Sequence, residues 1–268
     1  MQPAPQPPWT RLVDLVRRRS EYLVIPTAMT LFVGLWALVV HLTDYPSFIL
    51  PSPSQVYQKF LIVLSDGSLW RHTRVTLGEI FGGLSLGLVA ATCLGYALAK
   101  SRLMERLLSP YIVASQSIPI VALAPLLVIW FGFGTLSKVL VCALTVFFPI
   151  LVNTVVGIRS VDDDLVDLMR ALQATRWQIF TMLEVPSALP VLFGGLKIGV
   201  TLSVIGAVVG EFVGADRGLG FLVNLARGLF DTPLMFVALF TLMTIALALY
   251  IIVTALESLF LSWQTKNG

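Results

Sequence analysis

The chain has 268 residues, 57% hydrophobic and 12% charged, with a mean hydropathy of +0.88. Soluble domains carry about a quarter charged residues, so a water-soluble globular protein is excluded and a lipid-embedded one is indicated. The net charge of +3 and pI near 9.0 do not call for nucleic acid, because basic residues kept on one side of a membrane give the same excess.

The first ten residues, MQPAPQPPWT, are Pro-rich and predict irregular structure, and Arg17, Arg18 and Arg19 follow. The apolar run that begins at Tyr22 is longer than a signal-peptide core and has no small-residue cleavage site, so it reads as a retained first helix. Runs at about 22–42, 74–99, 108–131, 139–157, 190–213 and 233–260 meet the roughly 20 residues needed to span hydrocarbon. They predict an all-α polytopic membrane protein with about six transmembrane helices. One transmembrane domain, 22–263, then lies between an N-terminal segment 1–21 and a tail 264–268. Pro26, Pro110, Pro119, Pro125 and Pro149 fall inside the runs. Neighbouring helices can satisfy the carbonyls a proline frees, but three prolines in the third run argue against a straight, lipid-facing helix.

Between the first two runs, Ser52 and Gln55 form a capping box with Pro53 at the first helical position. The helix they start carries Val56, Phe60, Val63 and Leu64 on one face, which suits the outer membrane surface. With the amino terminus inside, the inner segments hold Arg11, Arg17, Arg18, Arg19, Lys100, Arg102, Arg106, Arg159, Arg170, Arg176 and Lys266. The outer ones hold Lys59, Arg71, Arg74, Lys138, Arg217 and Arg227. That bias predicts both termini in the cytoplasm. Cys93 and Cys142 sit in apolar runs and read as small buried hydrophobes. His41 and His72 read as surface or internally bonded side chains, and no metal-ligand spacing is present.

The segment from Val161 to Leu192 is a polar interruption between two apolar runs, on the inner side. Ser160 is the expected N-cap of a helix, with Asp162, Asp163 and Asp164 at the positive end of its dipole. Leu165, Leu168, Met169 and Leu172 recur at helical spacing. After Gln173-Ala174, Thr175 and Gln178 make a second capping box, opening a short helix with Trp177, Ile179, Phe180 and Leu183. Pro186 and Pro190 are expected to end it. A linker resting on the membrane and a docking element are both compatible with this pattern. Met, Trp and Phe on short helices favour docking. The chain has no phosphate-binding loop, so energy from ATP would have to come through another chain.

This segment resembles the cytoplasmic "EAA" loop of binding-protein-dependent ABC importer permeases. Asp167-Leu168-Met169 stand at the Glu-Ala-Ala positions, Arg170-Ala171-Leu172 follow, and Gln173 takes the place of a glycine. Ala174 to Phe180 begin the second helix, with Pro186 and Pro190 at the closing prolines. Glycine would permit φ > 0 at the turn; Gln173 must turn conventionally or accept strain. LPSPSQV (50–56), SIPIVALAPLLVIWFGFG (117–134) and GEFVGADRGLGFLV (210–223) resemble motifs of the nitrate, sulfonate, taurine and thiamine-precursor branch, in matching order.

The resemblance implies a bacterial cytoplasmic-membrane permease that is not itself an enzyme and carries no cofactor. It implies a second permease copy, a pair of ATPase subunits holding the ATP, an external binding protein and surrounding lipid as partners. It makes Asp167, Arg170, Ala171, Gln173, Ala174, Arg176, Trp177 and Pro186 the coupling residues. It also makes Gln116, Ser117, Pro119, Ser203 and Glu211 candidates for the translocation path. Gly206 and Gly210, four apart, suit helix packing better than substrate contact. Glu211 near the outer boundary is costly unless paired. Arg217 or Arg227 is its expected partner, and a gate or binding-protein contact is the alternative; Glu79 poses the same choice. TLGE (76–79) with IPIVALAPLLVIWFGFG most resembles permeases for thiamine-precursor pyrimidines or riboflavin, with sulfonate, taurine and nitrate as alternatives. An ion-coupled secondary transporter would show internal repeats and mid-membrane charges, and a membrane enzyme a nucleophile with its base or a metal set; neither pattern is evident.

Overall fold

The computed structural model describes residues 8–43 and 45–261. The opening MQPAPQP and the tail 264–268 therefore lie outside the described residues. Helix α1 (Pro8–Thr43) already begins within the stretch expected to be irregular. Proline suits a first turn, where its missing N–H would have had no intrahelical partner. Every described element is helical, and no strand occurs among the described residues.

Helix α2 (Pro53–Ser65) opens with the expected capping box: Gln55 N–H donates to Ser52 Oγ and Ser52 N–H to Gln55 Oε1. Its apolar face is divided. Val56 and Val63 are buried in the bundle core, whereas Phe60 and Leu64 stay exposed. Beyond it Asp66 accepts from Ser68, and those hydrogen bonds hold its carboxyl below the usual range. Helix α3 (Ser68–Lys100) starts about two turns before the expected 74, because the polar Ser68–His72 stretch is part of the same helix.

The third apolar run is two helices, α4 (Arg102–Gln116) and α5 (Ile120–Phe131), bent by 97° at the intervening break. Pro119 offers no N–H and pushes Ile118 out of the helical region, so the helix cannot pass through. Among the described residues, five helices are long and apolar enough to cross a membrane, or six if this bent pair is one span.

At the centre, α6 (Thr135–Arg159) packs between α3 and α9 (Val185–Gly214). A Cβ added at Gly206 would lie 2.8 Å from Cys142 Cα, and one at Gly210 would lie 3.0 Å from Lys138 Cα. Both glycines thus serve backbone approach, as their spacing predicts. Cys142 is buried there and donates its thiol to the Ser203 carbonyl at 3.3 Å. Cys93 departs from expectation. It is exposed because it faces a recess rather than a neighbouring helix.

Helices α10 (Leu219–Gly228) and α11 (Thr232–Phe260) complete the bundle. Lys59 of α2 pairs with Asp231 at 2.5 Å, and Lys197 of α9 pairs with Glu257 of α11. Trp36 ties α1 to the rest through a 3.0 Å bond to the Pro51 carbonyl and a stacked contact with Phe236 at 5.4 Å. The candidate coupling segment lies at the Lys100 end of α3, and Glu211 lies at the opposite end, beside Thr76.

Candidate functional site

At the Lys100 end, helix α7 (Asp163–Ala171) carries the Asp167 and Arg170 positions. Its N-cap is Asp162, which accepts from Asp164 N–H at 2.9 Å; Ser160 instead closes α6. Both residue types cap well, and the carboxylate gains more from the helix dipole. Leu165, Leu168 and Leu172 are exposed. Arg170 and Asp167 pair at 2.9 Å while largely exposed, an arrangement of little energetic weight that leaves both open to another surface.

Gln173 takes the strained option, with φ at 58°. Its N–H donates to Arg170 O at 2.9 Å, and Ala174 N–H donates to Met169 O at 3.0 Å. Those two bonds define a Schellman ending, whose left-handed position is normally a glycine. The next residues form α8 (Arg176–Ile179), opened by the predicted Thr175–Gln178 capping box. Trp177 is 70% exposed and lies over Phe180 at 5.5 Å, whereas Ile179 is buried.

Pro186 and Pro190 do not end this second helix. The chain passes through one π-helical turn, Phe180–Glu184, straight into α9. The wider turn ahead of Pro186 accommodates the bond its nitrogen cannot make. Glu184, 4% exposed, forms an ion pair with Lys100 and accepts from the Tyr96 hydroxyl at 3.2 Å. Arg159 grips Glu105 with two bonds of 2.6 and 2.7 Å. The Glu184 tie shows in the sequence only as a lone carboxylate between Leu183 and Val185.

At the opposite end Glu211 is 1% exposed, and neither expected arginine reaches it. Its Oε1 accepts from Thr76 Oγ1 at 2.6 Å, and its Oε2 accepts from the Gly220 N–H and from the Phe221 N–H at 3.3 Å. Thr76 Oγ1 also accepts from Leu219 N–H at 2.8 Å, and His72 Nδ1 from Gly218 N–H at 3.0 Å. Glu211 and Thr76 therefore satisfy the orphan donors of α10, whose N-cap Gly218 has no side chain to do so. Arg217 instead lies 3.6 Å from Asp216, and Arg227 donates to Asn224. Glu79 is equally buried, and its Oε2 has no hydrogen-bond partner among the described residues.

The five path candidates are not brought together. Gln116, Ser117 and Pro119 are exposed at the α4–α5 break. Ser203 is buried, with its hydroxyl donated to Val200 O at 2.7 Å, and Glu211 is occupied at α10. Among the described residues, no group of three or more His, Cys, Asp or Glu could hold a metal ion.

The family model for the binding-protein-dependent transport system inner membrane component matches residues 83–261, which takes in α6, the α7–α8 segment and α9 to α11. The chain belongs to this family. The permease is 50% identical to the riboflavin transport system permease protein RibX of Chloroflexus aurantiacus, over 97% of this chain and 98% of that one. It is 38% identical to the formylaminopyrimidine transport permease protein ThiX of Halalkalibacterium halodurans, over 93% of this chain and 100% of that one. Its fold is similar to that of the MetNI methionine ABC transporter in an inward-facing form. The TM-score is 0.63 at 21% identity, covering 72% of this chain and 95% of that chain. As a member of the family, the chain is an inner-membrane component of a transport system that depends on a binding protein.

Proposed function

We propose that this permease is the membrane subunit of an ATP-driven riboflavin importer. The observation that carries the substrate is its 50% identity with the riboflavin permease along nearly the full length of both chains. A thiamine-precursor pyrimidine is the second reading, favoured by the 38% identity with the formylaminopyrimidine permease.

In this proposal two copies of the chain form the pathway, and two ATPase subunits carry the ATP. Both termini and the α7–α8 segment face the cytoplasm, as the Lys/Arg distribution supports. The ATPase docks on α7 and α8, where Leu165, Leu168, Leu172 and Trp177 expose apolar surface among the charges of Asp167, Arg170 and Arg176. Exposed apolar surface rimmed by polar residues is a mark of protein contact. Ala171, Gln173 and Ala174 fix the turn that sets one docking helix against the other. Pro186 lies at the start of α9, through which movement passes into the bundle. Gln116, Ser117 and Pro119, at the break between α4 and α5, are the residues open to a passing solute. Ser203 and Glu211 act in packing and capping.

Reconstitution of the permease with its ATPase and binding protein in proteoliposomes tests the substrate. ATP-dependent accumulation of labelled riboflavin is expected. Accumulation of the pyrimidine alone transfers the assignment to the second reading, and accumulation of neither rejects both.

A further inference from the structure

Two recesses meet at the Lys100 end. The first, of about 600 Å³, lies between α3, α6, α8 and the start of α9 and is walled by Thr92, Cys93, Tyr96, Phe180 and Leu192. Its size falls within the roughly 300–1,000 Å³ of small-molecule sites, and its surface is apolar. Ile158 belongs to its wall and also to that of the second recess, of about 580 Å³, at the ends of α3 and α6 and the start of α4.

The second recess is cationic. Lys100, Arg102, Arg106, Arg159 and Arg170 line it, against Glu105 and Asp163. Lys100, Arg159 and Arg170 are paired with Glu184, Glu105 and Asp167. Arg102 and Arg106 make no ion pair among the described residues, and the carboxylate they flank, Glu105, is already bound by Arg159. The Lys100 ammonium stands 5.9 Å from the Tyr96 ring centroid, so the charged recess adjoins the largely apolar one there, and Arg176 borders the latter. From Lys100 back to Thr92 the apolar wall of α3 runs about 12 Å into the bundle, at about 1.5 Å per residue.

We propose that the joined recesses bind one anionic diacyl phospholipid, its phosphate between Arg102 and Arg106 and one acyl chain against Cys93 and Phe180. Basic pockets at the ends of membrane helices hold anionic headgroups. A zwitterionic lipid would bring its own ammonium into a cluster that already has cations in excess. Arg170 borders the charged recess and Trp177 the apolar one, so the bound lipid shares a wall with both α7 and α8.

The test uses the full-length permease purified in detergent and depleted of lipid, with Cys93 as reporter. The other cysteine, Cys142, is buried and serves as the internal control. Modification by N-ethylmaleimide is followed by mass spectrometry during titration with dioleoyl phosphatidylglycerol or dioleoyl phosphatidylcholine. Phosphatidylglycerol is expected to protect Cys93 about thirty-fold better than phosphatidylcholine, the effect of two basic side chains on an anionic lipid. In Arg102→Gln with Arg106→Gln that preference is expected to vanish, and native mass spectra to lose the phosphatidylglycerol adduct. The comparison of the two lipids on the unmodified chain stands by itself should the double variant fail to assemble. Equal protection by both lipids, protection by neither, a thiol already blocked without lipid, or protection that needs the ATPase subunit each overturns the proposal.

Discussion

Gln173→Gly isolates the strain stored at the end of α7. Gln173 sits at φ 58°, held there by the paired bonds to Arg170 O and Met169 O, and it cannot leave that conformation without breaking both. A left-handed conformation costs an ordinary residue about 1–2 kcal/mol. Glycine avoids that cost but loses roughly 0.5–1 kcal/mol more chain entropy on ordering. The central values differ by roughly 0.75 kcal/mol in favour of glycine, which lowers the open population of the turn about three- to four-fold at about 1.4 kcal/mol per factor of ten. Hydrogen exchange at the Gln173 and Ala174 amides reads that opening directly, because local exchange reports local stability. Gln173→Val supplies the opposite perturbation, since a β-branched residue tolerates this region worst, and exchange there is expected to quicken. Faster exchange in the glycine variant, or an unchanged rate in the valine variant, would refute the strained-turn reasoning.

Trp177→Ala combined with Arg176→Ala is expected to reduce copurifying ATPase by about ten-fold or more, the scale of interface anchors, while the yield of folded permease holds; full copurification with unchanged transport removes the docking assignment. Glu211→Ala leaves the Gly220 and Phe221 amides without their carboxylate acceptor inside the bundle and removes the shorter of the two bonds open to the Thr76 hydroxyl. A loss of about 3 kcal/mol in stability is expected, at about 1–3 kcal/mol per stranded group and less than additive. Glu211→Gln, which keeps an acceptor, should lose less; equal melting of all three in detergent contradicts the cap. Gly206→Val would drive a side chain into Cys142 Cα, 2.8 Å away, and should cost about 1–3 kcal/mol or more. Gly194→Ala, with nothing within 4 Å, is the control that should melt at or above the unmodified protein.

What the sequence reveals is what the chain decides locally. Runs of apolar residues mark the spans because the bilayer sets their length, and the bend at Pro119 follows from one missing donor. The capping boxes at Ser52–Gln55 and Thr175–Gln178 involve residues three apart, so the pattern is the structure. The proposed docking segment is legible in its short helices with Met, Trp and Phe, its individual coupling positions only through resemblance, and Ser160 loses to Asp162 because both residue types cap well. Glu211 misled for a physical reason. Charge-pair reasoning looks for an arginine, yet a helix N-terminus supplies donors that no letter of the sequence displays. Its Thr76 partner lies 135 residues away. The available hint was α10 itself, a helix starting after Gly218 with no capping side chain of its own.

The unbroken helical path from Arg176 to Gly214 has a mechanical consequence. Its 39 residues extend about 58 Å at 1.5 Å per residue, and the buried Glu184 tie to Lys100 and Tyr96 grips it near one end. From Arg176 to that grip is about 12 Å, and from the grip to Glu211 about 40 Å. Were that grip a pivot, the two arms would stand in a ratio of about three. A displacement of about 1 Å at Trp177 would then amount to about 3 Å where Glu211 holds α10, enough to part a hydrogen bond that is made at 2.6 Å and weakens sharply beyond about 3.5 Å.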